Sequence, residues 1–285
     1  MKNITTVLSP ALFEATVGGV ENKNVVVIDI LRATTTMCVA MENGANSIWP
    51  VDSVQKAAQA GSSFLTAGER NGEKVEGFDL GNSPQEFSEE VVKGRDIVMT
   101  TTNGTKAISL SEGAKNIYIA SYRNISAVVQ ELQKQPEDIV LFCSGWKDQV
   151  NLEDTLFAGE VIYLVGGSGY QVAGSGGRES EVDSPKSVVG GRESEDSGPI
   201  TNYQLPCTKY QVPITSYQLN DSSWLALKLY EEVSGEEGTF LENASHVQRF
   251  KSLHIESDLE VCLKRDTSEL VLRVEQGIIR RFVVT

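Results

Sequence analysis

Apolar residues along this chain fall into short runs separated by polar turns. Residues 25–30, VVVIDI, read as a buried strand. TTTMCVAME follows as a short helix, with Asn43-Gly44 as its stop. Ser47 to Val51 reads as a second strand, and Asp52 or Ser53 caps a helix that ends at Gly61. The same order returns further on. Residues 97–128 match the segment from Ile28 to Gln59 at a shift of 69 positions, which places Thr34 on Asn103, Gly44-Ala45 on Gly113-Ala114 and Ile48 on Ile117. A third strand, DIVLFCSG at 138–145, ends in a glycine turn before the helix LEDTLFAGEVIYLV. Beyond residue 220, Asp221 or Ser222 caps WLALKLYEEV, a further helix follows near 243–252, and LVLRVEQGIIRRFVV reads as two strands around Gln276-Gly277. Repeated βαβ units predict a layered α/β/α fold with a mainly parallel or mixed sheet.

Between Gly166 and Asn220 the pattern is lost. GGRESE occurs at 176–181 and 190–195, and YQLP, YQVP and YQL recur every seven residues from Tyr203. Proline in the repeat excludes a coiled coil, and the polar units cannot bury a core. The segment reads as a disordered low-complexity insert, dispensable for folding and turnover. Three regions follow: residues 1–165 as an α/β catalytic core with an internal pseudo-repeat, 166–220 as the insert, and 221–285 completing the same fold.

Composition narrows the chemistry. The chain has 285 residues, 40% hydrophobic and 22% charged, which is enough for one large core or two smaller ones. Lys plus Arg total 25 against 39 Asp plus Glu, a net charge of −14 that argues against nucleic acid or an anionic membrane as partner. A hard divalent cation suits that surplus of carboxylates better. There is no signal-peptide pattern and no long apolar run, and the four cysteines form no paired spacing, so the chain reads as cytoplasmic with reduced thiols. The two histidines, His246 and His254, both lie in the last fifth of the chain. Chemistry in the first 165 residues is therefore expected to use carboxylates, hydroxyls, amides, arginine and a metal.

Three strand-to-helix turns carry candidate groups, and such turns gather ligands at the carboxyl edge of parallel sheets. They are Asp29 to Thr36, with Arg32, Thr34, Thr35 and Thr36; Thr100 to Thr105, with Thr101, Thr102, Asn103 and Gly104; and Cys143-Ser144-Gly145. Hydroxyls and turn amides can bind phosphate, sulfonate or carboxylate oxygens, and Arg32 can clamp an anion. A glycine-rich loop at 67–87 adds Glu69, Arg70 and Asp79, and closes with Ser83-Pro84-Gln85-Glu86 as a capping box. Glu153-Asp154 open a helix, where complementing its dipole explains them. Known phosphatase signatures are missing: Cys143 has no arginine six positions later, and Leu31 stands where an aspartyl-phosphate hydrolase has its second carboxylate.

VVIDILRATTT, GER followed by GFDLGNSP, TTTNGT, and CSG followed by LEDTLFAG together resemble the 2-phosphosulfolactate phosphatase family, the ComB proteins. WLALKLYEE and the DLEVCLKRDT segment extend the resemblance to essentially the whole chain outside 166–220, where the family has a short connection. It implies a phosphoric monoester hydrolase that uses Mg2+ to convert 2-phosphosulfolactate to sulfolactate and phosphate, a step of sulfonate metabolism that in methanogens leads to coenzyme M. On that reading Asp29, with Glu69 or Asp79, holds magnesium. Arg32 and Arg70 clamp anionic groups, with Arg32 exposed when the site is empty. The two threonine turns with Ser144 and Gly145 line one substrate cavity. The leaving group is protonated by a carboxylic acid or by metal-bound water. The partner is a small anionic substrate, and a homo-oligomer stays open. Two alternatives stand beside it: a phosphatase of another small phospho-acid, and a non-catalytic anion-binding homologue.

Overall fold

The structure, a computed structural model, describes residues 1–166, 217–253 and 255–282. Most of the expected insert, residues 167–216, lies outside the described residues, as does His254. In chain order, β1 (Lys2–Val7) leads to α1 (Phe13–Val17), β2 (Asn24–Ile28), α2 (Ala33–Glu42), β3 (Ser47–Pro50) and α3 (Val54–Ala58). Next come β4 (Phe64–Arg70), β5 (Glu73–Lys74), α4 (Glu89–Val92), β6 (Asp96–Thr100), α5 (Gly104–Leu110), β7 (Asn116–Ala120) and α6 (Ile125–Lys134). The chain then runs through β8 (Ile139–Cys143), α7 (Leu152–Val165), β9 (Tyr217–Leu219), α8 (Asp221–Val233), α9 (Glu237–Leu241), α10 (Ser245–Leu253), α11 (Ser257–Leu263), β10 (Val271–Glu275) and β11 (Ile278–Phe282).

The strands form one mixed sheet in the order β5-β4-β6-β3-β11-β10-β7-β2-β8-β1-β9. β4, β6 and β3 are mutually parallel, as are β7, β2, β8, β1 and β9. The β10–β11 hairpin pairs antiparallel with both blocks, Leu272 facing Ile119 on one side and Ile279 facing Ile48 on the other. Three successive antiparallel steps make the two blocks run in opposite senses. The 69-residue repeat explains why. It carries Ser47, the start of β3, onto Asn116, the start of β7, yet each repeat places its two strands in different blocks. β2 pairs with β7, and β6 pairs with β3. The two copies have exchanged strands, and the crossovers α2 and α5 tie the blocks together.

Alternation along the central strands puts helices on both faces. Val26, Ile28 and Leu141 pack with α6, α7 and α8, whereas Val25, Val27 and Phe142 pack with α1, α2 and α5. Buried on both faces, β2 and β8 read as continuous apolar runs. Among the described residues, no helix is long and apolar enough to cross a membrane.

Several local expectations change. Residues 64–70 form a strand rather than part of a loop, because Phe64 to Gly68 pair in register with Asp96 to Thr100. Tyr217–Leu219, inside the expected insert, pair with Lys2–Ile4 as an edge strand, so the ordered chain resumes before residue 220. Asn220, not Asp221 or Ser222, caps α8 by accepting from the Ser223 amide at 2.9 Å. The capping box at Ser83 does not form. The Ser83 hydroxyl donates to Asp258 at 2.6 Å, and the Glu86 carboxylate accepts the Gly81 amide at 2.9 Å.

α7 and α8 cross closely at Gly159, where a Cβ would lie 2.0 Å from the Ala226 carbonyl oxygen. Both helices are tied to the core, so the neighbour cannot retreat without moving a backbone. Gly159→Ala should therefore destabilise the protein by about 2–3 kcal/mol, the upper range for overpacking. The melting temperature should fall by roughly 5–10 °C, and an unchanged melting curve would show that the helices stand further apart.

Candidate active site

Thr34 and Thr105 build the same turn twice, so at the turns Thr34 corresponds to Thr105 and not, as the 69-residue shift places it, to Asn103. The Thr34 hydroxyl donates to the Asp29 carbonyl at 2.9 Å and accepts the Asp29 amide at 3.0 Å. Thr105 repeats both bonds with Thr101, at 2.9 and 3.2 Å. Threonine is therefore required at these positions to close a strand-to-helix turn. At the N-terminus of α2 the Asp29 carboxylate accepts the Ala33 amide at 3.2 Å; at α5 the Thr101 hydroxyl accepts the Thr105 amide at 3.1 Å. One copy has a carboxylate where the other has a hydroxyl.

The two turns meet. A Cβ on Gly104 would fall 2.6 Å from the Ala33 Cβ and 2.9 Å from Asp29 Oδ2, so only glycine lets α5 approach the first turn this closely. The third turn joins them through Asp154, whose carboxylate accepts the amides of Ile30 at 2.9 Å and Gly145 at 3.2 Å. Glu69, at the end of β4, accepts the amides of Thr102 at 2.7 Å and Gly72 at 2.6 Å. Carboxylates accepting main-chain amides thus hold all these turns in place.

A cavity of ≈ 30 Å³, about the share of one water molecule, lies at this junction. Asp29, Arg32, Glu69, Asn82, Thr102 and Asn103 line it from the repeated half, while Trp146, His246, Arg249 and Phe250 close it from the other side. Two of the residues lining it carry a buried oxygen without a protein partner, Asn82 Oδ1 and Thr102 Oγ1. Burial drives the Asp29 carboxyl up from 3.8 to about 6, with the Ala33 amide opposing the rise. Asp154 is pushed well above the ordinary carboxyl range, first by burial and then by the neighbouring charges of Glu153 and Asp29.

The sequence candidates are divided by this geometry. Asp29, Arg32, Glu69, Thr102 and Asn103 share the cavity, and Gly104 abuts Asp29. Thr34, Thr35 and Thr36 are fully buried and donate to the carbonyls of Asp29, Ile30 and Asn82, so their hydroxyls are already used. The Thr101 hydroxyl instead accepts the Thr105 amide. Arg70 turns into a separate groove of ≈ 330 Å³ with Thr101, Thr102 and Lys106, and donates to the Thr100 hydroxyl at 2.9 Å. Asp79 accepts from both the amide and hydroxyl of Thr66, at 2.9 and 2.8 Å. Those bonds hold its carboxyl below the usual range and keep it on the outer side of β4. Ser144 is buried behind the turn, and Gly145 contributes its amide to Asp154. Among the described residues, no three His, Cys, Asp or Glu side chains converge as a metal cage.

Arg32 is the clearest departure. It is buried, not exposed: its guanidinium pairs with Asp258 at 2.6 Å, donates to the Gly72 carbonyl at 3.1 Å and lies over the Phe250 ring. Ser83 and Gln85 complete the shell around Asp258. Glu153 and Asp154, read from the sequence as dipole partners, are completely buried at the site. A usable signal existed, because LEDTLFAGEVIYLV is apolar around its whole circumference and such a helix buries its acids too. His246, Arg249 and Asp258 carried no local signal. They arrive from α10 and α11, more than two hundred residues from Asp29 along the chain.

Comparison with known proteins follows the same segments. A family model described as 2-phosphosulpholactate phosphatase matches residues 12–177 and 204–277, leaving a break inside the repeat-rich segment. A protein named probable 2-phosphosulfolactate phosphatase from Symbiobacterium thermophilum is 46% identical over 147 residues, 50% of this chain and 63% of that relative. Proteins of the same name are similar over greater length. The one from Clostridium acetobutylicum is 31% identical over 262 residues, covering 90% of this chain and 92% of the relative. That from Thermotoga petrophila is 33% identical over 260 residues, covering 91% and 92%.

Two substitutions test the energetics of the site. Arg32→Ala strands Asp258 in a buried position and should cost about 3–5 kcal/mol of stability. The double variant Arg32→Met with Asp258→Leu should recover most of that loss; equal melting temperatures for Arg32→Ala and the parent would remove the buried pair from the account.

Asp29 behaves oppositely. Because its folded-state pKa of about 6 exceeds the ordinary 3.8, the penalty for burying its charge is absent at low pH and grows as pH rises through that window. In EDTA at pH 7, Asp29→Asn should therefore be more stable than the parent by about 2–3 kcal/mol, the free-energy equivalent of such a shift. The difference should vanish below about pH 4. Urea melts at both pH values check it.

Proposed function

The chain belongs to the 2-phosphosulfolactate phosphatase family, and from that membership we propose that it hydrolyses 2-phosphosulfolactate to sulfolactate and inorganic phosphate. The observation that carries the reading is the juxtaposition, in one cavity, of the carboxylates Asp29 and Glu69 with the cations Arg32 and Arg249. A ligand with several anionic groups and an accompanying metal ion needs both signs of charge side by side.

The donor set fits Mg2+. Asp29 and Glu69 supply carboxylate oxygens, and the unpartnered Asn82 Oδ1 and Thr102 Oγ1 add neutral hard oxygens at the same wall. Magnesium is held in such enzymes by one or two carboxylates, with water and substrate phosphate completing its shell, so a full protein cage is not required. Asp29 and Glu69 would hold it through lone pairs their amide bonds leave unused, and Asp79 is set aside because it does not line this cavity. When bound, the ion neutralises phosphoryl oxygens and lowers the cost of adding a nucleophile.

The chain's own groups do the rest. Arg32, held by Asp258 and the Gly72 carbonyl, lines the cavity as a fixed wall, its guanidinium contributing positive charge beside the ligand and no conformational entropy cost on binding. Arg249, stacked on Trp146 at 4.6 Å, offers a second cation for the sulfonate or carboxylate. The main-chain bonds to Glu69 and Asp154 hold the turns at fixed spacing, so the site is organised before the substrate arrives. With Leu31 where a second catalytic carboxylate would stand, water rather than Asp29 is assigned as the nucleophile.

Purified protein should release phosphate from 2-phosphosulfolactate in Mg2+ and lose that activity in excess EDTA. Phospholactate and phosphoglycerate should be poorer substrates. Asp29→Asn should lower turnover by about two orders of magnitude. A preference for phosphoglycerate would replace the substrate with another phospho-acid. Phosphate release that persists in EDTA would remove the metal, and no release from any ester would leave a non-catalytic anion-binding protein.

A further inference from the structure

His246 sits where none of the strand-to-helix turns could place a histidine. It is carried by α10, it is buried, and it lines the same cavity as Asp29. Its Nδ1 lies 2.5 Å from Glu153 Oε1 at the start of α7. A carboxylate at that distance keeps Nδ1 protonated and fixes the ring plane, which leaves Nε2 as the atom presented to the cavity. The ring is wedged between the Trp146 and Phe250 rings, at 5.8 and 6.1 Å.

Resting on the phosphatase reading above, we propose that His246 is the catalytic proton donor to the ester oxygen that leaves phosphorus, with Glu153 as its positioning residue.

Three observations lead there. Glu153 is fully buried, and its second oxygen, Oε2, has no partner. A carboxylate in that state is costly to the fold, and apolar packing would be cheaper than the pair it makes with His246. Stabilising an imidazolium that forms and disappears during turnover accounts for its retention. Second, the other acids around the cavity are poorly placed to donate. Both oxygens of Asp154 and both oxygens of Glu69 accept main-chain amides, and Asp29 is assigned to the metal. Third, the ring shares its cavity with the groups assigned to the phosphoryl ester: Asp29 from the β2–α2 turn and the cations Arg249 of α10 and Arg32 line it together with His246.

The chemistry balances. As the ester P–O bond breaks, its electron pair stays on the substrate oxygen, which takes the Nε2 proton and departs as the alcohol. The oxygen of water forms the new P–O bond, and the proton it loses restores the imidazolium. Ester and water become alcohol and phosphate, with no change of oxidation state. An aliphatic alkoxide is a poor leaving group, so its protonation matters most. An aryl oxide departs without that help.

The dependence on leaving group supplies the test. With full-length protein and Mg2+, turnover is measured on 2-phosphosulfolactate and on an aryl phosphate monoester, for the parent, His246→Asn, His246→Gln and Glu153→Gln. Both histidine variants should lose at least 100-fold on the alkyl ester, as general-acid removal does, and less than about 10-fold on the aryl ester, where that acid has little to contribute. Glu153→Gln should show the same selectivity with a smaller loss. The retained aryl activity reports a folded site, so selective loss cannot come from unfolding. Equal losses on the two esters in all three variants, or no loss on either, overturn the assignment while leaving the phosphatase reading intact. A parent protein that hydrolyses neither ester overturns the reading itself, and the proton donor with it.

Discussion

Four carboxylates, those of Asp29, Glu69, Glu153 and Asp154, are taken out of water at the junction of β2, β4 and β6 with the start of α7. Removing charge from solvent costs several kcal/mol per group unless each gains compensating partners. The structure meets that cost unevenly. Asp154 and Glu69 each collect two main-chain amides, whereas Glu153 has one histidine and Asp29 one amide. Asp154 and Glu69 serve as struts between turns, Glu69 while also lining the cavity. Asp29 and Glu153 have fewer partners and so the largest capacity to interact, a state found where a site is reactive.

The exchange of strands between the two repeats creates that junction. If each repeat paired its own two strands, α2 and α5 would serve separate sheets, and their N-termini would have no reason to meet. Because β2 pairs with β7 and β6 pairs with β3, each crossover helix bridges the opposite-running blocks. The β10–β11 hairpin, which comes last in the chain, fills the gap between them. The resulting contact is close enough that Gly104 lies against Ala33 and Asp29. Divergence within the repeat then gave the two turns different jobs: a carboxylate at position 29, where the cavity lies, and a hydroxyl at 101, which only closes its turn.

The segment from α9 to α11 adds the second wall. It carries His246 to Glu153, Arg249 to Trp146 and Asp258 to Arg32, so three polar or cation–π contacts join it to the turns. These contacts make Arg32 part of the packed interior, even though its place beside a threonine turn reads as an exposed clamp.

The sequence alone determined the α/β layering, the repeat, the strand-to-helix turns and the family, because each is written in local periodicity or in contiguous motifs such as VVIDILRATTT and TTTNGT. It also put Asp29 and Glu69 forward, the first as an acid at the end of an apolar run and the second as an acid on a glycine-rich segment with no local structural duty. Tertiary structure decided which threonines were spent on their own turns, which arginines line the cavity, and that Asp79 stands outside it. It also decided the reversal of the two blocks and the arrival of His246, Arg249 and Asp258. A hydroxyl or guanidinium is a binding group only if nothing nearer has taken its hydrogen bonds. For Thr34, Thr35 and Thr105 the competing carbonyls lie four or five residues away, but which of those local bonds form is settled only when the turns fold. For Thr36 and Arg32 the partners lie 46 and 226 residues away.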